Sequence, residues 1–262
     1  MIRIVYRRRR LSRPRYSSPD GPGEETVSST GIDIYGGRDP RDIPFYAIRE
    51  AALCLDVNPA TLRTWALGRS YQVRSGEKKA EAVLELPEPE NPMLSFVNLM
   101  EAQFLRALRR EHEFSMQHIR TALEALPSYH SQPHPLAFVD FLTDGIDLFV
   151  RKFGKLIDLN RPEQILIEKL LESHLRRIDR DATGPIRFFP VVVSDTERPI
   201  SVDPRVAFGH PVVAGTRVRT ETLSGRIAAG DTVEAVAEDL GLTKEQVEQA
   251  VAFEQRAKRK AA

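Results

Sequence analysis

Between Asn58 and Ser75 the chain places three arginines, Arg63, Arg69 and Arg74, and no acid. If Pro59–Leu67 (PATLRTWAL) is helical, Leu62 and Trp65-Ala66 fall on one face, leaving Ala60, Thr61, Arg63, Thr64 and Leu67 for the other. That outward set has the chemistry of a major-groove reader: an arginine for guanine or phosphate, hydroxyls for either, and small apolar groups for a thymine methyl. With Asn58 at the helix start, the candidate DNA-contacting residues are Asn58, Ala60, Thr61, Arg63, Thr64, Arg69 and Arg74. A plain helical hairpin with a solvated face would use similar residues. Charge favours DNA, because the segment is basic inside a body that is net negative.

Other chemistries find no constellation. His130 and His134 are four apart, but Pro133 and Pro135 forbid the helix that would make them a ligand pair, and His112, His118, His174 and His210 stand apart from them. The segment holding Gly209 and Gly215 lacks the lysine of a phosphate-cradling loop, and no dinucleotide fingerprint occurs. Asp140, Asp144, Asp147 and Asp158 lie where acids are ordinarily solvated, with no second cluster to meet them. The lone Cys54, within Ala51–Leu55, reads as a small core residue. The expectation is a protein that is not an enzyme and uses neither metal nor cofactor.

At 262 residues with 41% hydrophobic content the chain can bury a real core. No apolar run approaches the roughly 18 residues of a membrane span, and no apolar segment of a secretory signal follows the start, so the expected location is the cytoplasm. The net charge of +1 conceals an uneven layout: residues 1–19 hold seven arginines and no acid, which leaves the rest of the chain at −6. A basic arm on an acidic body suits phosphate contact by an extension, although disordered tails share this composition.

The elements that must position the candidate reader follow from punctuation. Residues 1–42 read as a basic disordered arm, with one strand-like run at Gly31–Tyr35. From Ile43, apolar residues at Phe45, Ile48, Ala52 and Leu55 predict a helix; Asp56-Val57 turns, Asn58 caps, Pro59 opens the next helix and Gly68 closes it. The tight turn and the small Ala51-Ala52 make a helix-turn-helix. Residues 76–93, rich in Pro and Glu, predict a loop around a short strand at Ala82–Leu86, and helices follow over Met93–Arg110 and Met116–Leu126 with Ser115 as cap. Beyond a hinge at Pro127–Pro135, strands are expected at Phe138–Leu142, Ile146–Arg151 and Leu156–Leu159. A helix is expected over Arg161–Asp181 and a strand over Ile186–Val193, with Pro190 implying an edge or a bulge.

The stretch Val202–Thr220 predicts β-segments. Helices follow at Leu223–Ala229, closed by Gly230, and from Thr232 to Leu240, with a last helix behind a Thr243–Gln246 capping box. Gly241-Leu242-Thr243 thus forms a second helix-turn-helix-like turn. Residues 201–262 carry nine acids and nine bases, and Glu245, Glu248 and Glu254 on the last helix would repel phosphate. This module is therefore expected to pack on protein, with Arg217, Arg219, Glu245 and Glu248 as partner-interface residues.

Two resemblances add to this reading. The order helix-turn-helix, loop, long helix, then a helix with Ile119-Arg120 resembles the DNA-binding domain of MerR-type regulators. Thr64-Trp65-Ala66 replace the aromatic and acidic residues usual after the recognition arginine, and the wing of that family would fall in the Pro-rich loop. Asp203-Pro204, Val206, Gly209, Pro211-Val212, Gly215-Thr216-Arg217-Val218, Gly230, Glu234, Val236, Leu242-Thr243 and Val247 resemble a C-terminal module, a domain of unknown function, that recurs in VapB-type antitoxins. The resemblance implies an antitoxin of a VapBC-type pair that binds a PIN-domain, VapC-like ribonuclease toxin and represses its own operon on operator DNA as a homodimer. The expected architecture is α+β: an arm (1–42), a winged, MerR-like helix-turn-helix domain (43–128), a small mixed hairpin and helix segment (136–200), and a three-helix, helix-turn-helix-like module (201–262). A stand-alone MerR-like regulator without a toxin, or an interaction module that binds no DNA, would fit the same residues.

Overall fold

The computed structural model describes residues 35–73, 76–112, 134–138, 176–194 and 196–261, together with 116, 119, 121, 150–151, 154–155, 164–165, 168–169 and 171–173. The expectations for residues 1–34 of the basic arm, for Ser115, for Leu156–Leu159 and for most of the Pro127–Pro135 hinge lie outside them. The end of the arm is ordered against expectation: Pro40–Asp42 form a 3-10 helix, and Arg41 is buried with its guanidinium donating to the Thr183 carbonyl at 2.8 Å.

Within Gly37–Ala262, β1 (Tyr46–Ala47) leads into α1 (Ile48–Leu55), which a short turn joins to α2 (Pro59–Leu67). Asn58 caps α2 by accepting the Ala60 N–H at 2.8 Å, Pro59 fills the first turn where no N–H is needed, and Gly68 ends the helix, all as the sequence predicts. The first helix starts later than Ile43. Pro44 holds Ile43 extended, and Tyr46–Ala47 pair antiparallel with β4 (Met93–Leu94). That pairing also delays the long helix, α3, which runs Phe96–His112 instead of starting at Met93. Ser95 and Asn98 cap it reciprocally: the Ser95 hydroxyl accepts the Asn98 N–H at 3.1 Å, and Asn98 Oδ1 accepts the Ser95 N–H at 3.2 Å. Met116, Ile119 and Thr121 are helical, in line with the helix expected there.

The wing sits elsewhere than expected. Directly after α2, β2 (Arg69–Val73) and β3 (Gly76–Ala80) pair antiparallel from Arg69↔Ala80 to Val73↔Gly76. Ala82–Leu86 is not a strand. Its Leu84 and Leu86 enter the core, and the N–H groups of Val83 and Leu84 both donate to the Trp65 carbonyl. Having found its hydrogen bonds on the end of α2, this segment needs no strand partner.

Further corrections fall in the middle of the chain. Phe138 belongs to a short helix, α4 (Pro135–Phe138), and Val150 and Arg151 are helical, where strands were expected. Residues 164, 165, 168, 169 and 171–173 are helical as predicted, but Ile178–Asp181 forms β5. A tight turn follows, in which Asp181 Oδ1 accepts both the Thr183 N–H at 2.7 Å and the Thr183 hydroxyl at 2.6 Å. The chain returns as β6 (Gly184–Val191), then β7 (Ile200–Val202) and β8 (Val212–Val213), giving one antiparallel sheet ordered β5-β6-β7-β8. Pro190 therefore lies on an inner strand and not at an edge. The register shifts between Phe188 and Val191, so the missing N–H falls in a bulge.

The sheet feeds α5 (Thr220–Ala228), α6 (Val233–Leu240) and α7 (Lys244–Ala261). Thr232 caps α6 through the Ala235 N–H, and the Thr243–Gln246 capping box closes in both directions, at 2.9 and 3.2 Å. The fold is α+β with an N-terminal helix-turn-helix. One contiguous core links its parts, from Tyr46, Leu55, Leu62 and Leu94 through Leu99 and Leu105 to Phe188, Val236 and Phe253. Among the described residues no helix is long and apolar enough to cross a membrane.

Candidate nucleic-acid interface

α2 is set by what it buries. Leu62, Trp65 and Ala66 are in the core, and Ala60 and Arg63 are exposed while Thr61 and Thr64 are half-buried. The helix is aimed by the turn before it. Asp56 adopts a left-handed conformation at φ 52°, which a short polar residue tolerates, and the Val57 N–H closes back on the Ala52 carbonyl at 3.0 Å. Arg106 of α3 reaches Asp56 Oδ2 at 3.3 Å, fixing the turn to the long helix.

Two polar groups of the predicted set are partly committed to the helix itself. Asn58 Oδ1 is the cap, and the Thr64 hydroxyl donates to the Ala60 carbonyl at 2.9 Å. Arg63 therefore leads the outward face. Arg69 is on the wing and not on the helix, and its guanidinium lies 5.6 Å from the centre of the exposed Tyr71 ring, two residues along the same strand. Arg74 lies outside the described residues. From Asn58 to Ala80 the sequence has five bases against one acid, Glu77.

Sequence reasoning missed the wing residues Tyr71, Gln72 and Lys79, all exposed. The signal was present in RSYQVRSGEKKA, two polar runs about a Ser-Gly turn. Gly68 makes the wing possible. It turns the chain at φ 72° and ψ −171°, a conformation close to glycine-only, and a Cβ there would collide with the Ala80 carbonyl oxygen of the returning strand.

The C-terminal module lacks that basic excess, with nine acids and nine bases over residues 201–262. Its Gly215-Thr216-Arg217-Val218 turn is stapled by Thr216, whose hydroxyl donates to the Val213 carbonyl at 2.8 Å and accepts the Val218 N–H at 3.1 Å. Arg217 is exposed on that turn, and Arg219, just before α5, pairs with Glu221 at 2.6 Å. Glu245 and Glu248 are exposed on α7. The Glu245 carboxyl is held below its usual range by its own backbone N–H and the Thr243 hydroxyl, so it stays charged. Lys244 pairs with Glu234 at 2.8 Å, and Arg226 pairs with both Asp231 and Asp239. From Thr220 to Ala261 eight acids face six bases, four of which, Arg256, Lys258, Arg259 and Lys260, fall at the end of α7.

Cys54 is buried, and desolvation pushes its thiol well above the ordinary 9.0, which leaves it a neutral core group. Among the described residues no three His, Cys, Asp or Glu gather to hold a metal ion.

Comparison with known proteins matches both halves. Residues 44–123 match a family described as a putative DNA-binding HTH domain, and residues 200–253 match the family described as a protein of unknown function, DUF433. Over 231 residues the chain is 32% identical to the putative antitoxin VapB45 of Mycobacterium tuberculosis, spanning 80% of this chain and 93% of that protein. The chain belongs to the VapB45 antitoxin family. The crystal structure of Rv2018 from Mycobacterium tuberculosis superposes with a TM-score of 0.58 at 29% identity, covering 80% of this chain and 98% of that one. The helix-turn-helix domain and the antitoxin-type C-terminal module read from the sequence are thus both matched at the level of the family.

Proposed function

We propose that the chain is an antitoxin that represses its own operon by binding operator DNA and neutralises a PIN-domain ribonuclease toxin by direct contact, acting as a homodimer in the cytoplasm and without catalysis of its own. The observation that carries the DNA part is the exposed Arg63 on α2 beside a wing bearing Arg69 and Lys79, in a segment almost free of acids. Asn58, Ala60, Thr61, Thr64 and Arg74 complete the proposed contact set. Arg63 would read a base edge or a phosphate, and the wing bases would displace counterions from the backbone.

The toxin part is supported by the name of the relative and by charge. The exposed Glu245 and Glu248 behind the second turn would repel phosphate, so a protein is the better match for Arg217, Arg219, Glu245 and Glu248. Co-expression of the chain with the product of the adjacent gene, once that product's sequence has been inspected for a PIN domain, followed by purification through a tag on either one, tests this directly. A stoichiometric complex with suppressed ribonuclease activity supports the antitoxin reading; separate elution and uninhibited ribonuclease would leave a DNA-binding regulator without a toxin.

A further inference from the structure

The loop between β7 and β8 departs from the sheet and reaches α1, the first helix of the helix-turn-helix. Ala207, Phe208 and Gly209 are consecutive residues in left-handed conformation, at φ 48°, 54° and 79°. Two of them carry side chains, so the backbone is strained and the surrounding contacts must hold it. Those contacts are on the DNA-reading half. The Phe208 ring meets Phe45 edge-on with centroids 6.3 Å apart, and Gly209 lies so close to the Tyr46 phenol that a Cβ would overlap the hydroxyl. His210 Nδ1 lies 2.6 Å from Glu50 Oε1.

Glu50 stands in the first turn of α1, the helix whose far end carries the left-handed Asp56 that aims α2. A cleft of about 410 Å³ opens beside the pair, lined by Arg49 and Leu53 of α1 and by Arg219 and Glu254 of the C-terminal module. At its edge the Thr220 hydroxyl meets Glu254 Oε1 at 2.5 Å, joining the start of α5 to α7. Glu50 and His210 retain 25% and 31% of their side-chain exposure, which makes the pair weak as a source of stability and useful as a directional contact.

We propose that His210 and Glu50 are positioning residues for DNA reading: through this clasp the C-terminal module sets the orientation of α1, and hence of α2 and the wing, on the duplex. The inference rests on the DNA-binding reading above. Neither residue belongs to the proposed contact set, so their effect is transmitted through the fold.

The test uses the full chain and a fluorescently labelled duplex taken from upstream of its own gene, titrated by anisotropy at several salt concentrations. His210→Ala and Glu50→Ala are each expected to weaken binding about tenfold, within the range of measured site-to-site couplings. The double variant should be no weaker than either single, and the salt slope should equal that of the wild type, because no phosphate contact is lost. If His210→Ala fails to fold, Glu50→Gln reads the same quantity, with an expected loss of about fivefold. Wild-type affinity in the folded variants, additive losses, or a shallower salt slope would each overturn the inference while leaving DNA binding intact. A wild-type chain that ignores the duplex removes the DNA reading and the clasp's role together.

Discussion

Two turns in this molecule are nearly the same object with opposite surroundings. In the N-terminal half Leu55 is followed by the left-handed Asp56, then Val57 and the cap Asn58; in the C-terminal half Leu240 is followed by the left-handed Gly241, then Leu242 and the cap Thr243. The closing hydrogen bonds correspond, Val57 N–H to the Ala52 carbonyl and Leu242 N–H to the Ala237 carbonyl, at 3.0 and 2.9 Å. What differs is the charge carried past the turn. The first turn leads to Arg63, Arg69 and a basic wing, and the second leads to Glu245 and Glu248. The same backbone solution serves either surface, so the motif alone does not say which of them meets phosphate.

Breaking the core of the first unit gives the largest expected effect. Leu62→Ala removes a fully buried side chain from under α2, and chemical denaturation should register a loss of about 2–5 kcal/mol. Gly68→Ala forces a side chain into a glycine-only conformation and into the Ala80 carbonyl, at a cost of about 1–3 kcal/mol. DNA affinity should fall with it even under conditions where circular dichroism shows a folded chain, because the wing is displaced from α2. The two caps offer a matched pair. Asn58→Ala and Thr243→Ala should each cost about 1 kcal/mol of stability, whereas only Asn58→Ala should weaken binding to the duplex; equal effects of the two on DNA affinity would erase the distinction between the turns.

A smaller effect tests the seam between α3 and the segment before α4. His134 Nδ1 lies 3.0 Å from Glu101 Oε2, and the same carboxylate accepts from Asn98 Nδ2 at 3.2 Å. Burial disfavours the imidazolium, but the hydrogen bond and charge of Glu101, with Asp42 and Glu85 behind it, outweigh burial and raise the pKa above the ordinary 6.5. The stabilisation is therefore full below pH 6.5 and is lost as the pH rises through the folded value. Melting curves from pH 5.5 to 8.5 should show the wild type losing its advantage over His134→Gln as the pH increases; a constant difference would deny the ion pair.

Local punctuation explains what could be read in advance. Asn58-Pro59 at one end of α2 and Gly68 at the other act within a single turn of chain, as does the Thr243–Gln246 box, so their consequences are fixed without tertiary structure. The wing is legible only weakly because Tyr71, Val73 and Ala80 are its only apolar strand positions, too few for an apolar alternation to report a strand. Ile178 misleads for the reverse reason. It continues the helical spacing of Leu171 and Leu175, yet it lies in β5, and the turn that decides this is the Asp181–Thr183 hydrogen-bonded pair beyond it. The two-residue ladder Tyr46–Ala47 with Met93–Leu94 joins positions nearly fifty residues apart, and the clasp from His210 to Glu50 spans 160. Neither has a local signature.

The most direct measurement is duplex binding against salt for the wild type, Arg63→Ala/Arg69→Ala and Glu245→Ala/Glu248→Ala. The N-terminal pair should lose affinity at every salt concentration, with a slope shallower by about one for each phosphate contact removed. The C-terminal pair should bind as the wild type or more tightly. The opposite pattern, in which the two arginines are dispensable and the two glutamates are required, would contradict the assignment of DNA reading to α2 and the wing.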